Sequence, residues 1–189
     1  MKAPSAPLLA ALAAAGALAA ASPALAASTV YGAGPAQLCY RAALGGNPDL
    51  TAIANCDTAL YGSDLDAADR AATMVNRGVL RLKRREADLA LADFDRVIAW
   101  RPTLGEAHVN RGAALILKGD FDGAIAAIDR GLELGADEPH EAYFNRAVAQ
   151  ESKGDLTAAY RDYRRASTLK PDWEAPGREL ARFTVTSAD

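Results

Sequence analysis

The sequence contains few of the residues that most often carry out catalysis or bind metal ions. Its 189 residues include only two histidines and two cysteines, and neither His108 nor His140 belongs to a motif with metal-ligand spacing. A Gly-x-Ser-x-Gly elbow, a phosphate-binding glycine loop and a His-Glu-x-x-His helix are all absent from the sequence. The sequence therefore predicts no enzyme, no metal site and no cofactor.

Aromatic residues and basic charge are also scarce. Aromatic residues make up 6% of the chain, and much of the apolar fraction is alanine, which favours closely packed helices over the layers of a β-sandwich. The formal net charge is −3, which does not suit the broad phosphate contact of a nucleic-acid-binding protein. We therefore expect an all-α protein that does not bind nucleic acid.

The chain begins with a segment typical of protein export. Lys2 precedes an apolar run from Leu8 to Ala21, and Ala24-Leu25-Ala26 then offers small residues at the −3 and −1 positions of a cleavage site. A bilayer-spanning helix needs about 20 predominantly apolar residues, and this run is shorter. We predict a signal peptide over residues 1–26, cleavage before Ala27, and no stable membrane anchor afterwards.

The composition of this segment also predicts a compartment. The first cysteine, Cys39, lies well downstream of the apolar run, so the segment does not predict a lipoprotein. A short, alanine-rich signal is typical of bacteria, and the protein is expected to be periplasmic or secreted. Thiols oxidise in both places.

An internal repeat of about 34 residues recurs three times between residues 71 and 173. Asn76-Arg77-Gly78 aligns with Asn110-Arg111-Gly112 at an offset of 34 residues, and then with Asn145-Arg146-Ala147 at a further 35. The second half of each repeat also agrees, through Ala90, Ala124 and Ala159, then Phe94, Ile128 and Tyr163. A period of this length is typical of stacked helix pairs.

These residues resemble the tetratricopeptide repeat, which places small residues where two helices cross, an aromatic residue in the second helix and a proline at the end. The residues that match the pattern, and are expected to pack the repeats, are Gly78, Ala90, Phe94, Pro102, Gly112, Ala124, Ala147, Ala159, Tyr163, Ala166 and Pro171. The resemblance implies a right-handed α-solenoid of antiparallel helix pairs. The sequence departs from the family pattern at Met74 and His108, where an aromatic residue is usual.

The repeat divides the chain after the signal peptide into three parts. Three repeats are predicted over residues 71–104, 105–138 and 140–173. Residues 27–70 align with them as a degenerate helix pair and a connector, and residues 174–189 are expected to form a capping helix and a tail. Because a stack of amphipathic pairs exposes an apolar face at each end, both flanking parts are expected to cover the array. The final helix is predicted to reach Thr184 and to direct Phe183 inward.

The two cysteines fall within the degenerate pair. Cys56 occupies the place of Phe94 in the first repeat, and Cys39 lies on the preceding helix. An antiparallel pair would bring them face to face, so we predict a Cys39–Cys56 disulfide. The alternative is a redox-active pair, although redox motifs usually separate their cysteines by two residues.

In the resembled family the first helix of each repeat lines a concave groove that binds a peptide or protein. Carried over to this sequence, the groove residues are Val75, Asn76, Val79, Leu82, Glu106, Val109, Asn110, Ile116, Glu141, Phe144, Asn145 and Val148. The three asparagines recur at one repeat position, and an amide can both donate to and accept from a peptide backbone. They could instead join neighbouring helices.

Two sets of charged residues have alternative interpretations. Arg77, Arg111 and Arg146 recur at one position and could form an inter-helix ladder with aspartates, which we favour, or a binding or catalytic array. The cluster of Arg81, Lys83, Arg84 and Arg85 is either the solvated end of a helix or a contact site for an acidic partner.

The resemblance and the lack of catalytic motifs together predict a non-enzymatic scaffold that binds a partner protein or peptide in its groove. The first alternative is a structural subunit of the cell envelope that associates with copies of itself, which would make the protein a homo-oligomer. The second is a thiol-redox protein. The sequence does not name the partner.

Overall fold

The structure, a computed structural model, describes residues 11–14, 22–30, 34–45, 47–62 and 65–186. Within these ranges helices follow one another along the chain, and each packs against the next. They are α1 (Pro35–Gly45), α2 (Leu50–Gly62), α3 (Ala67–Lys83), α4 (Ala87–Trp100), α5 (Gly105–Lys118), α6 (Phe121–Glu133), α7 (Pro139–Ser152), α8 (Leu156–Leu169) and α9 (Glu174–Leu180). The predicted all-α repeat fold is confirmed.

Two short strands join the ends of the described chain. β1 (Ala11–Ala14) pairs with β2 (Phe183–Thr186) in an antiparallel ladder that places Ala11 opposite Thr186. β1 lies within the predicted signal peptide, whose residues 1–10 and 15–21 fall outside the described part of the chain. No helix in the described ranges is both long enough and apolar enough to cross a membrane.

Aspartate caps and left-handed glycines separate the helices of the repeats. The side chains of Asp120 and Asp155 accept hydrogen bonds from the first turns of α6 and α8. Gly119 and Gly154 precede them with φ of 78° and 85°, a conformation that costs glycine little. The equivalent turn between α3 and α4 uses Arg85 at φ 62°, so the first repeat makes the same turn with a residue that disfavours it.

The two helices of each repeat cross at a small residue. A Cβ atom built on Gly78 would lie 2.4 Å from Cε1 of Phe94, and one built on Gly112 would lie 2.4 Å from Cγ1 of Ile128. The third repeat has Ala147 at this position, fully buried in the core cluster that includes Tyr163. The sequence signal of the repeat therefore corresponds to a steric requirement for close helix approach.

The N-terminal helix pair continues the array and carries a covalent link. A disulfide joins Cys39 on α1 to Cys56 on α2, and both residues are fully buried. Closing a loop of this length stabilises the folded state by about 3 kcal/mol in the chain-entropy model. The pair packs against α3, so the disulfide holds together the unit that covers the first repeat.

The C-terminal cap differs from the prediction of a helix reaching Thr184. α9 ends at Leu180, and Phe183 begins β2. The β-branched residues Thr184, Val185 and Thr186 favour an extended backbone, which explains why the helix does not continue. Phe183 is nevertheless buried, with its ring 5.7 Å from that of Tyr160 and 6.0 Å from that of Tyr163.

A ladder of arginine and aspartate side chains links consecutive helices. Arg77 on α3 contacts Asp57 on α2 and Asp93 on α4, each at 2.6 Å. Arg146 on α7 bridges α6 and α8 in the same way, through Asp129 and Asp162. These contacts match the inter-helix ladder favoured by the sequence.

The middle repeat has an incomplete version of this arrangement. Arg111 contacts Asp95 of the preceding helix at 2.7 Å. Ala127 occupies the place that Asp93 and Asp162 hold in the other two repeats, so α6 offers no carboxylate to Arg111 there. Arg111 is therefore a natural control for the effect of the complete bridges.

We expect Gly112→Ala to lower the free energy of unfolding by about 1 to 3 kcal/mol, because the new methyl group overlaps Ile128 and lies 3.0 Å from the backbone oxygen of Ala124. Gly177→Ala on α9 is the control, since its Cβ would meet nothing within 4 Å. Urea unfolding measures both variants. Equal stability of the two would contradict the steric role of the crossing glycine.

Arg77→Ala should lower the free energy of unfolding by about 2 kcal/mol, because it leaves buried Asp93 with Arg81 as its remaining cationic contact. Arg111→Ala should cost less than about 1 kcal/mol, since its single pair with Asp95 is more exposed. Thermal and urea unfolding of both variants provide the comparison. A larger loss for Arg111→Ala would show that the bridges do not stabilise the array as described.

Candidate functional site

The first helices of the three repeats, α3, α5 and α7, form one face of the array, and the chain's own residues 22–30 lie along it. We call this face, with the spaces beside the segment, the groove. Ala24 contacts α7, Ala26 contacts α5 and Ser28 contacts α3, so the segment runs opposite to the order of the repeats. The groove is therefore occupied by an extended part of the same chain.

Three asparagine side chains hold this segment, each through a pair of hydrogen bonds. The N–H of Ala24 donates to Oδ1 of Asn145 at 2.6 Å, and Nδ2 of Asn145 donates to the carbonyl oxygen of Ala24 at 2.7 Å. Asn110 bonds Ala26 in the same way at 3.2 and 2.8 Å. Asn76 bonds Ser28 at 2.8 and 2.7 Å.

The spacing of these bonds follows from the geometry of an extended chain. The N–H and C=O of alternate residues point to the same side, so residues 24, 26 and 28 present their backbone groups to the helices. Each amide side chain thus makes the pair of backbone hydrogen bonds that a neighbouring β-strand would make. All three asparagines are fully buried, and their amides bond the segment rather than a neighbouring helix.

Apolar contacts also hold the segment, both between the hydrogen-bonded residues and after the last of them. Val30 is 2% exposed and belongs to a small core cluster with Ala36, Ala59 and Ala72. Leu25 and Ala27 are half-buried against the core that contains the N-terminal helix pair and the first repeat. The segment is therefore packed along its length as well as hydrogen-bonded.

The two edges of the groove differ in charge. At the C-terminal ends of α3 and α5, a cavity of about 590 Å³ is lined by leucines and by Lys83 and Arg85. At the opposite edge, two cavities of about 520 and 360 Å³ border residues 24–29 and share Glu138 in their walls. Glu106 and Glu141 each line one of these, so this edge carries most of the acidic side chains.

The twelve groove residues predicted from the sequence fall into three groups. Asn76, Asn110 and Asn145 contact the segment directly, while Leu82, Glu106 and Glu141 line the cavities beside it. The remaining six are buried in the core clusters, namely Val75, Val79, Val109, Ile116, Phe144 and Val148. The role of all twelve toward a partner stays a prediction.

The basic cluster at the end of α3 is largely engaged within the array. Arg81 contacts Asp93, Lys83 donates to the carbonyl oxygen of Ala43, and Arg84 pairs with Glu86. Arg85 is exposed at the groove edge. Most of the cluster therefore stabilises the first repeat and its contact with α1.

Residues 22–30 were not predicted to be part of the site. Ala24, Ala26 and Ser28 are small, but so is the intervening Ala27, so side-chain size does not single out the three positions that face the asparagines. The predicted cleavage position, between Ala26 and Ala27, lies inside the segment held by the groove. Cleavage there stays a prediction.

Glu141 lies at the acidic edge with an unusual electrostatic environment. Its Oε2 atom is buried and has no hydrogen-bond partner among the described residues. Burial, together with the nearby charge of Glu138, raises the pKa of Glu141 to about 7, while Lys170 acts in the opposite direction. Burial also lowers the pKa of the adjacent His140, so the folded state favours the neutral form of both side chains.

The described part of the chain contains no cluster of His, Cys, Asp or Glu side chains arranged to hold a metal ion. The features that the site does offer are backbone hydrogen-bonding groups, apolar cavities and edges of opposite charge. These features are suited to binding an extended polypeptide.

Comparisons with known proteins agree with this architecture. The sequence profile of the tetratricopeptide repeat matches residues 75–139 and 118–172, which together make up just over half of the chain. The chain is similar to the first TPR domain of human RPAP3, with 22% identity, a TM-score of 0.55, and coverage of 59% of this chain and 87% of that one.

Two further solved structures show the same likeness. The first TPR of Spaghetti (RPAP3), bound to the HSP90 peptide SRMEEVD, has 22% identity and a TM-score of 0.56, covering 64% of this chain and 94% of that one. MamA from Desulfovibrio magneticus RS-1 has 17% identity and a TM-score of 0.58, covering 77% and 81%. At these identities the likeness shows the fold alone.

The raised pKa of Glu141 predicts a pH-dependent stability. A carboxyl group whose pKa is higher in the folded state makes no difference below its unfolded value near 4.5, and destabilises the fold progressively as the pH rises to about 7. Glu141→Gln should therefore be more stable than the unsubstituted chain at pH 8, and the two should converge near pH 4. Urea unfolding at several pH values measures this difference.

The exposed Glu174→Gln is the matched control and should leave the profile unchanged. His140 titrates in both chains, so its contribution cancels in the comparison. A difference between Glu141→Gln and the unsubstituted chain that stays constant from pH 4 to 8 would contradict the raised pKa.

Proposed function

Because the chain belongs to the tetratricopeptide repeat family, we propose that it is a non-enzymatic scaffold that binds an extended segment of a partner protein in the groove. The partner's backbone takes the place now held by residues 24–28, with Asn76, Asn110 and Asn145 as the principal contacts. The flanking cavities then receive the partner's side chains.

One observation carries this proposal: each asparagine makes two hydrogen bonds to the backbone of a single residue. Such pairs depend on an extended conformation and not on the identity of the bound side chain. The groove therefore has the chemistry of a general receptor for extended peptides.

The peptide-bound neighbours support peptide binding in general but not one ligand. Spaghetti binds the HSP90 peptide SRMEEVD, and the second TPR domain of human RPAP3 binds the HSP70 peptide SGPTIEEVD. Some family members clamp a terminal carboxylate with a lysine and an asparagine. In this chain those positions hold buried apolar residues, Val75, Val109 and Phe144, then Val79, Ala113 and Val148. The proposal therefore does not extend to chaperone tails.

The proposed setting is the periplasm or the outside of a bacterial cell. The apolar run after Lys2 and the small residues at Ala24 and Ala26 support export. The Cys39–Cys56 disulfide supports an oxidising compartment. Both features fit a scaffold that acts in the cell envelope.

Self-association is a second candidate function, and exposed apolar side chains on the N-terminal helix pair favour it. Leu44, Leu50 and Tyr61 are 65%, 70% and 86% exposed, which would suit a contact with another subunit. A thiol-redox function has less support, because Cys39 and Cys56 are both inaccessible to solvent.

The proposed function is tested by crosslinking in the native compartment, identification of the partner by mass spectrometry, and binding measurements with purified protein. The triple variant Asn76→Ala, Asn110→Ala and Asn145→Ala should bind that partner at least about tenfold more weakly, because six hydrogen bonds are lost. Asn55→Ala, on α2 away from the groove, is the control.

Circular dichroism should show unchanged helicity in the triple variant, since the substitutions leave the helix crossings intact. Undiminished partner binding by that variant would refute the groove assignment. Loss of binding on substitution of Tyr61 and Leu50 instead would favour the exposed face of the N-terminal pair.

A further inference from the structure

The groove holds residues 24–28 without using any polar side chain of the segment. The hydroxyl of Ser28 is buried and has no hydrogen-bond partner among the described residues. Ala26 is 6% exposed and contributes only a methyl group. The asparagines therefore contact only the backbone of these residues, and at Ala26, opposite Asn110, the burial leaves room for a small side chain.

The residue between the first two of these positions meets a different environment. Leu25 is half-buried, and it borders both the cavity of about 590 Å³ at the basic edge and that of about 520 Å³ at the acidic edge. Leu44, Leu82 and Leu117 line that cavity together with Lys83 and Arg85, and none of its lining residues is acidic. At this volume, the cavity has room for a side chain larger than leucine.

This cavity matters for binding because a partner has to displace residues 22–30 from the groove. In the uncleaved chain the segment is joined to α1 by a short stretch of chain, so its effective concentration at the groove is on the order of millimolar. A free peptide with the same contacts would compete poorly. A partner therefore needs a contact that residues 22–30 do not make, and the cavity beside Leu25 offers one.

We propose that the groove selects an extended segment with a small residue at the position held by Asn110 and a bulky apolar residue between that position and the one held by Asn145. Residues 22–30 are a built-in occupant that such a segment displaces from the uncleaved chain. Cleavage before Ala27 would remove residues 22–26 and leave Asn145 and Asn110 to bind such a segment directly. The inference rests on the proposed function, because it specifies the ligand of the same groove. Its chemical basis is backbone pairing at two sites combined with burial of one large side chain.

Synthetic peptides with the sequence of residues 22–30 and a fluorescent label test this, with affinity for the full chain measured by anisotropy. The Leu25→Phe peptide should bind about fivefold more tightly than the unsubstituted peptide, because it buries more apolar area. The Leu25→Ser peptide should bind about tenfold more weakly. Equal affinities for the three peptides would overturn the proposed selectivity.

The built-in occupant is tested with a full-length double variant, Ala24→Pro and Ala26→Pro. Proline has no N–H to donate to Asn145 or Asn110, so the segment is held less tightly. All peptides should then bind at least about tenfold more tightly than they bind the unsubstituted chain. Ala26→Pro alone should give a smaller gain, and it serves as the test if the double variant does not fold.

Two results would overturn the built-in occupant. One is equal peptide affinity for the unsubstituted chain and the proline variants. The other is an unsubstituted chain that is dimeric by light scattering but monomeric after proline substitution, since its segment would then occupy the groove of a second copy.

A different experiment tests the proposed function independently of the built-in occupant. Addition of Asn110→Ala to the proline double variant should weaken peptide binding about tenfold. If binding is unchanged, the peptide is bound elsewhere and the groove assignment is wrong. If the proline variants bind none of the peptides but partner binding still depends on the asparagines, the selectivity for a bulky apolar residue is wrong and the groove assignment stands.

Discussion

The close crossing of two helices within each repeat is the constraint on which the rest of the structure depends. Gly78 and Gly112 admit Phe94 and Ile128 so closely that even one methyl group would overlap them. This crossing fixes the orientation of the first helix in each repeat. Asn76 and Asn110, two residues before the glycines, consequently project from the same side of successive helices and form a regular row.

That row converts a helical array into a surface that binds an extended chain. An extended polypeptide repeats its backbone orientation every two residues, and the asparagines meet it at the same interval, at residues 24, 26 and 28. The repeat supplies the periodicity, and the amide supplies both hydrogen-bonding groups. Neither an exposed sheet edge nor a charged clamp is needed.

The periodic features of the fold could be predicted from the sequence, because each recurring residue has one steric or hydrogen-bonding role. The three repeats, the N-terminal helix pair and the Cys39–Cys56 disulfide all follow from the alignment of the chain with itself. The arginine ladder was favoured on the same basis. Its gap at Ala127 is visible in the sequence once the partner positions of Arg77 and Arg146 are known.

The remaining features could not be predicted, for physical reasons. The groove contacts residues 24–28 through their backbone, and backbone groups are the same in every residue, so no side-chain motif marks the segment. The burial of Phe183 against Tyr160 and Tyr163 is predictable from its place after the repeats, but the extended backbone that positions it is not. Arg85 adopts a left-handed turn that favours glycine, which local preference alone does not predict.

The position of the disulfide has a consequence for how the array comes apart. In a stack of repeats each unit is supported mainly by its neighbours, so disassembly spreads inward from the less secure terminus. Cys39 and Cys56 lock one terminus covalently, whereas the other is closed by the seven-residue α9 and a short strand. Fraying should therefore begin at the C-terminal end, where Asn145 lies, and reach Asn76 last. The groove would then release a bound chain from that chain's N-terminal side first.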